Sequence, residues 1–194
     1  MTETTSKISE ANDIQVVMQY TPNPSAFKFI ANKDVKIGGA ATYRGTEECD
    51  NNLARALFEL PAIDHLYLFD NIITVTLNPS VPVDELKQRI IDTIKTQLPD
   101  HNPEFQTKED LKKIEHDNLP EEVKRINEIL DRTIRPGLKA DGGDLEVLSY
   151  IHPEITVRYQ GACGTCPSST MGTLQAVTQI LRDEFDPEVE VIPV

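Results

Sequence analysis

Three cysteines stand among the 194 residues, and two of them, Cys163 and Cys166, form a C-x-x-C pair far from the third, Cys49. Two residues between thiols let both sulfurs face one centre. Such a pair suits reversible disulfide chemistry, or supplies half of a four-thiolate metal site. Its surroundings, GACGTCPSST over 161–170, favour the thiolate form. Pro167 fits the first turn of a helix, where its missing N–H would have no partner. Ser168, Ser169 and Thr170 can serve backbone donors in that turn. A helix starting there points its N-terminus at Cys166 and stabilises negative charge on sulfur. Gly161 and Gly164 let the backbone come close and leave amides for sulfur.

Three readings of the pair stay open on residue grounds. Two inert, buried cysteines would leave the spacing and the glycines unexplained. A thioredoxin-like dithiol fits C-x-x-C-P at a helix start. That fold wants a β-α-β lead-in, whereas a β-hairpin is expected before this motif. A zinc or cluster site needs about four protein ligands. The chain offers two thiolates here and no histidine beside them, so a symmetric dimer would have to supply the rest. Zinc and iron–sulfur both accept such donors.

The other chemistry-bearing residues are dispersed. Cys49 has no Cys or His near it and reads as a spare thiol. The four histidines, His65, His101, His116 and His152, are scattered and suggest no catalytic base. No Ser-His-Asp set, phosphate-binding Gly-Lys loop or H-E-x-x-H helix is present, so the chain is not expected to be an enzyme.

Composition narrows the partners. Lys plus Arg number 19 against 32 Asp plus Glu, for a net charge of −13. That acidity argues against nucleic acid or an anionic membrane as main partner. Tryptophan is absent and aromatics make 6%, so there is no platform for stacking bases. Hydrophobic residues at 39% suffice for a core, and no apolar run approaches the length of a membrane span. An odd, sparse cysteine count does not describe a secreted disulfide scaffold. The first residues, MTETTSKISEAND, hold acids and no Arg, so neither a secretory signal nor a mitochondrial presequence is expected. They read as a disordered tail over 1–12. A bacterial cytoplasm is the expected compartment, with a processed organellar protein second.

Periodicity predicts an α+β protein of two small domains, 13–98 and 121–194, joined by a polar, Pro-bracketed linker over 99–120. In the first domain, Ile14 to Tyr20 and the alternating Phe27, Phe29, Ala31 read as strands. Val35 to Cys49, with Gly38, Gly39 and Gly45, reads as a loop. A helix follows from Asn51 and stops at Pro61. Ile63 to Phe69 and Ile72 to Leu77 form a hairpin about Asp70-Asn71, and Val83 to Leu98 a second helix. The order is β-β-α-β-β-α. The second domain reads α-β-β-α-β, with its first helix ended by Pro136-Gly137 and a turn over LKADGGD. Strands at Leu145 to Ile151 and Ile155 to Tyr159 meet at His152-Pro153. The C-x-x-C loop then sits at a strand-to-helix junction.

RPGLKADGGDLEV, followed after a hairpin by YQGACGTCPSST, resembles the C-terminal domain of the NifU, or Nfu-type, iron–sulfur scaffold and carrier family. YTPNPSAFKFI resembles that family's N-terminal Nfu domain signature. The resemblance implies that Cys163 and Cys166 from each of two protomers hold one [4Fe-4S] cluster. It implies a homodimer when loaded, upstream cluster-assembly proteins as donors, and apo iron–sulfur client proteins as recipients. It implies handover by thiolate exchange rather than turnover of a substrate. Asp141-Gly142-Gly143-Asp144 matches a family motif and reads as a shaping turn, since carboxylates are hard ligands for so soft a site. Met171-Gly172-Thr173-Leu174 departs from the expected pattern at the start of the helix. Phe27, Lys28 and Phe29 belong to the other signature, as core and surface of a strand or as a partner-docking edge.

Overall fold

The computed structural model describes residues 13–107, 110, 120–165 and 167–194, with backbone alone at 165 and 167–171. It is an α+β structure with two sheets, as the periodicity predicts. The first unit holds strands β1 (Val16–Tyr20), β2 (Ala26–Ala31), β3 (Lys36–Tyr43), β4 (Ile63–Asp70) and β5 (Ile72–Leu77), with helices α1 (Asn52–Phe58) and α2 (Val83–Gln97). Its sheet runs β1-β2-β5-β4-β3 and every pairing is antiparallel. One face, carrying Phe27, Phe29, Leu66, Leu68, Ile73 and Val75, packs on α1 and α2 through Leu53, Leu57, Leu86, Ile90 and Ile94. Asn51 starts α1 by accepting the Ala54 N–H at 2.8 Å. The β4–β5 hairpin turns at Asp70, whose φ is 48°, as the Asp-Asn pair predicts.

Strand β3 takes Lys36–Tyr43 out of the loop expected at Val35 to Cys49, and the remainder to Cys49 holds a single 3-10 turn, Thr46–Glu48. Its pairing slips between Lys36 and Ala40, where Gly38 and Gly39 take φ of 77° and 149°. Glycines that read as loop punctuation form a bulge inside an edge strand. Cys49 is core rather than a loose loop thiol: it is buried among Tyr43, Leu53 and their neighbours. The segment from 99 begins packed on this unit. His101 is buried and its Nε2 donates to the Val35 carbonyl at 2.7 Å; Pro103 accepts the Ile37 N–H at 2.8 Å. Asp110 lies 3.2 Å from the buried Lys36 ammonium. The tail over 1–12 and His116 fall outside the described residues.

The second unit holds α3 (Glu121–Thr133), α4 (Arg135–Ala140), β6 (Gly143–Ile151), β7 (Glu154–Gly161), α5 (Pro167–Glu184) and β8 (Glu190–Pro193). Pro136 does not end helical structure here. It sits in the first turn of α4, where a proline is tolerated, so much of the expected turn at LKADGGD is a short helix. β6 and β7 form the hairpin about His152-Pro153, and β8 adds parallel to β7 after α5. Ile126, Ile129 and Leu130 of α3 and Val177 and Leu181 of α5 close over Leu145, Ile155 and Val157. Among the described residues, no helix is long and apolar enough to cross a membrane.

Candidate functional site

Strand β7 ends at Gly161, whose φ of 61° turns the chain out of the sheet. Ala162–Thr165 form one 3-10 turn, and α5 begins at Pro167. The strand-to-helix junction is therefore where the motif predicts it. Cys163 lies on that turn, 8% exposed, among Leu145, Tyr159 and Val177. Cys166 lies outside the described residues, so the structure places one member of the pair and the sequence supplies the other.

The preceding Asp-Gly-Gly-Asp segment fits the turn by closeness. Gly142, at φ 80°, turns its carbonyl to accept the Ala162 N–H at 3.1 Å. Gly143 pairs with Gly161 at the base of the hairpin. A Cβ on Gly143 would stand 2.5 Å from the Cys163 sulfur and 2.9 Å from the Gln160 carbonyl oxygen. A Cβ on Gly161 would stand 2.4 Å from the Gly142 carbonyl oxygen. These glycines are required by contact, because any side chain there would displace backbone.

Asp144 is occupied structurally. One carboxylate oxygen accepts the Leu145 N–H at 2.7 Å and lies 3.6 Å from Arg135 Nε; the other accepts the Tyr67 hydroxyl at 3.5 Å. Burial pushes its pKa up, against the downward pull of the Leu145 N–H and Arg135. Arg135 also donates to the Leu145 carbonyl at 3.0 Å and to Asn127 at 2.7 Å, tying α3 to β6. Burial, and then Cys163 beside it, push the Tyr159 hydroxyl up to about 12. In Cys49, burial and then Asp50 push the thiol up to about 11, so this cysteine is held as a neutral core residue. Among the described residues, no three His, Cys, Asp or Glu side chains converge as a metal site. His152 faces Asp186 at 3.3 Å, and burial lowers the pKa of His65.

Of the polar residues in the first unit that reach this turn, sequence reasoning singled out Lys28, as strand surface or docking edge, and missed the roles of Thr74 and Asn23. Lys28 and Thr74 lie on the sheet face opposite α1 and α2, and Asn23 lies in the connection between β1 and β2. Thr74 donates to the Gly142 carbonyl at 2.8 Å and Lys28 to the Ala140 carbonyl at 2.5 Å. Asn23 Nδ2 donates to the Ala162 carbonyl at 2.9 Å, and the Lys139 ammonium sits 4.4 Å from the centre of the Phe69 ring. Alternation in β2 and β5 puts Lys28, Thr74 and Thr76 on this face, and β4 adds the rings of Tyr67 and Phe69, an apolar signal that the face is covered. A crevice remains beside the contact, lined by Thr42, Arg44, His65, Tyr159, Gln160 and Gly164 among others.

The two halves match two family descriptions. Residues 14–101 match "Scaffold protein Nfu/NifU N terminal", and residues 126–192 match "NifU-like domain". A NifU-like protein of Schizosaccharomyces pombe is 28% identical over 193 residues, covering 95% of this chain and 74% of that protein. The "NFU1 iron-sulfur cluster scaffold homolog, mitochondrial" of Drosophila sechellia is 32% identical over 181 residues, 90% of this chain. This chain spans 62% of that fly protein's length. "NifU-like protein 5, mitochondrial" of Arabidopsis thaliana is 28% identical over 199 residues, covering 94% of this chain and 72% of that protein. These names overturn the bacterial cytoplasm expected from the sequence, since the fly and plant relatives are mitochondrial proteins. That expectation leaned on the composition of the first residues, which is no guide to compartment.

Proposed function

The chain belongs to the family that joins an Nfu/NifU N-terminal scaffold domain to a NifU-like domain, and on that premise we propose that it is an organellar iron–sulfur scaffold that carries a cluster between two copies of itself. The observation that supports this most is the turn between β7 and α5. It sets Cys163 three residues ahead of Cys166, with glycine backbone packed against its sulfur.

Cys163 and Cys166 of each protomer are the ligands, and the cargo is a [4Fe-4S] cluster, whose four positions two such pairs fill. Two thiolates per chain cannot complete that set, so a cluster binds when a second chain brings the other two. Release runs by exchange. A client's cysteine thiolate takes an iron position as Cys163 or Cys166 leaves it, and repetition moves the cluster to the apo-protein with no net redox change. The protein turns over no substrate, so it is a carrier and not an enzyme. Its partners are a cluster donor, apo-protein clients and its own copy.

Anaerobic reconstitution with iron and sulfide tests this. About four irons and four sulfides per dimer, with broad visible absorption and a doubled mass, are expected. A protein that stays colourless and monomeric, or binds zinc alone, refutes it. Disulfide reduction by the metal-free monomer would instead support a thioredoxin-like dithiol oxidoreductase.

A further inference from the structure

The centre of the first sheet's outer face sets polar Lys28, Thr74 and Thr76 beside the ring of Tyr67, and all four are buried. Lys28, Thr74 and Thr76 are 8%, 1% and 5% exposed. Lys28 and Thr74 face each other across the β2–β5 pairing, on the side away from the apolar core. A lysine and threonines on a sheet face are ordinarily solvated. Here the hydrogen bonds of Lys28, Thr74 and Asn23 end on three backbone carbonyls, those of Ala140, Gly142 and Ala162. These carbonyls bracket the cysteine turn: one closes α4, one belongs to the Gly-Gly bend, and one immediately precedes Cys163. Tyr67 adds a contact to Asp144, and its ring would meet a Cβ on Gly161 at 3.0 Å. In this arrangement Cys163 is 8% exposed. A sulfur that must bind a cluster shared with another chain has to reach the surface.

We propose that the first unit is a latch on the cysteine turn: its outer sheet face and the β1–β2 connection dock through Lys28, Thr74 and Asn23, hold Cys163 buried, and must release before the thiol can be used. Docking and cluster loading then exclude one another. Loading by a donor and a second copy draws the first units away, and handing the cluster on lets them return. That coupling rests on the carrier reading above, whereas the latch itself is a property of the metal-free chain.

Thr74→Glu tests it. A carboxylate cannot donate to the Gly142 carbonyl, and burying it there unpaired is costly. On the released sheet the same carboxylate would be solvated opposite Lys28, so the first unit keeps its fold. Lys28→Met removes a second of the three donors and keeps the apolar stem. Maleimide labelling of the metal-free protein, resolved by peptide mass mapping, gives the rate at each cysteine, and small-angle scattering gives the radius. Cys163 is expected to label about tenfold faster or more in Thr74→Glu, and by a smaller factor in Lys28→Met. The radius should grow while Cys49, buried in the first unit's core, keeps its rate. Should Cys49 also become reactive in Thr74→Glu, Lys28→Met alone decides by the same two rates. A Cys163 rate unchanged from the parent overturns the latch, whatever the radius does. A chain that labels as expected but takes up no cluster refutes the carrier reading and leaves the latch standing.

Discussion

The Cβ position of Gly143 lies 2.5 Å from the sulfur of Cys163 and 3.0 Å from its backbone nitrogen. The Gly-Gly bend is therefore the other wall of the cysteine site, although twenty residues of sequence separate the two. Gly143→Ala should destabilise the second unit by about 1–3 kcal/mol, as overpacking does, and lower cluster retention. Urea unfolding of the metal-free protein checks the first effect; iron content after reconstitution checks the second.

Gly172 makes the contrast. It is exposed within α5, and an added Cβ there meets nothing. Gly172→Ala should raise stability by about 0.5–1 kcal/mol through helix propensity alone, leaving cluster content unchanged. A drop in stability would show that the departure at Met171-Gly172 serves a contact rather than a local accommodation.

The three cysteines should separate cleanly on substitution. Cys163→Ser and Cys166→Ser should each lose the visible absorption of a reconstituted cluster. Cys49→Ser should retain it, since Cys49 is buried in the first unit with its thiol on the Gly45 carbonyl at 3.4 Å. Equal iron content in all four proteins would count against the pair as ligands.

The hydroxyl of Tyr159 is buried without a hydrogen-bond partner. Leaving such a donor unsatisfied costs about 1–3 kcal/mol. Tyr159→Phe keeps the ring and should be neutral or stabilising, by up to about that amount, in the midpoint of urea unfolding. Clear destabilisation would mean that the hydroxyl is satisfied in solution.

Acid should weaken the first unit through His101. Burial lowers the folded-state pKa of this histidine, outweighing its bond to the Val35 carbonyl. Its unfolded pKa is about 6.5, so below that pH the unfolded chain binds the extra proton and the folded chain resists it. The contribution is intact above about pH 6.5 and falls as pH drops toward the folded value, with a slope of at most about 1.4 kcal/mol per pH unit. Urea midpoints at neutral and mildly acid pH would show it. A His101→Gln chain should have a flatter profile over the same range.

Much of this protein was legible in its residues, for a local reason. Strand alternation, the Asp-Asn turn and the glycine-flanked C-x-x-C are short-range signals, and each reports the backbone within a few residues of itself. They predicted the hairpins, the amphipathic helices and a cysteine turn at the junction of β7 and α5. Local signals also failed locally. Gly38 and Gly39 looked like a loop because a bulge and a loop ask the same freedom of glycine, and only pairing with β4 tells them apart. Pro136 looked like a stop because one sequence position cannot show whether a proline ends one helix or opens the next.

The sequence by itself determined the chemistry on offer: two thiols at a spacing that faces one centre, in a chain with no competing nucleophile motif. The tertiary structure alone decided what surrounds the thiol it describes. Gly143 touches Cys163 because the β6–β7 pairing folds residues 143 and 161 together. Thr74 and Lys28 reach Gly142 and Ala140 because one sheet face lies on another domain. Alternation says that Lys28 and Thr74 share a face. It cannot say whether water or backbone carbonyls will satisfy them, because a hydroxyl and an ammonium donate to either equally well.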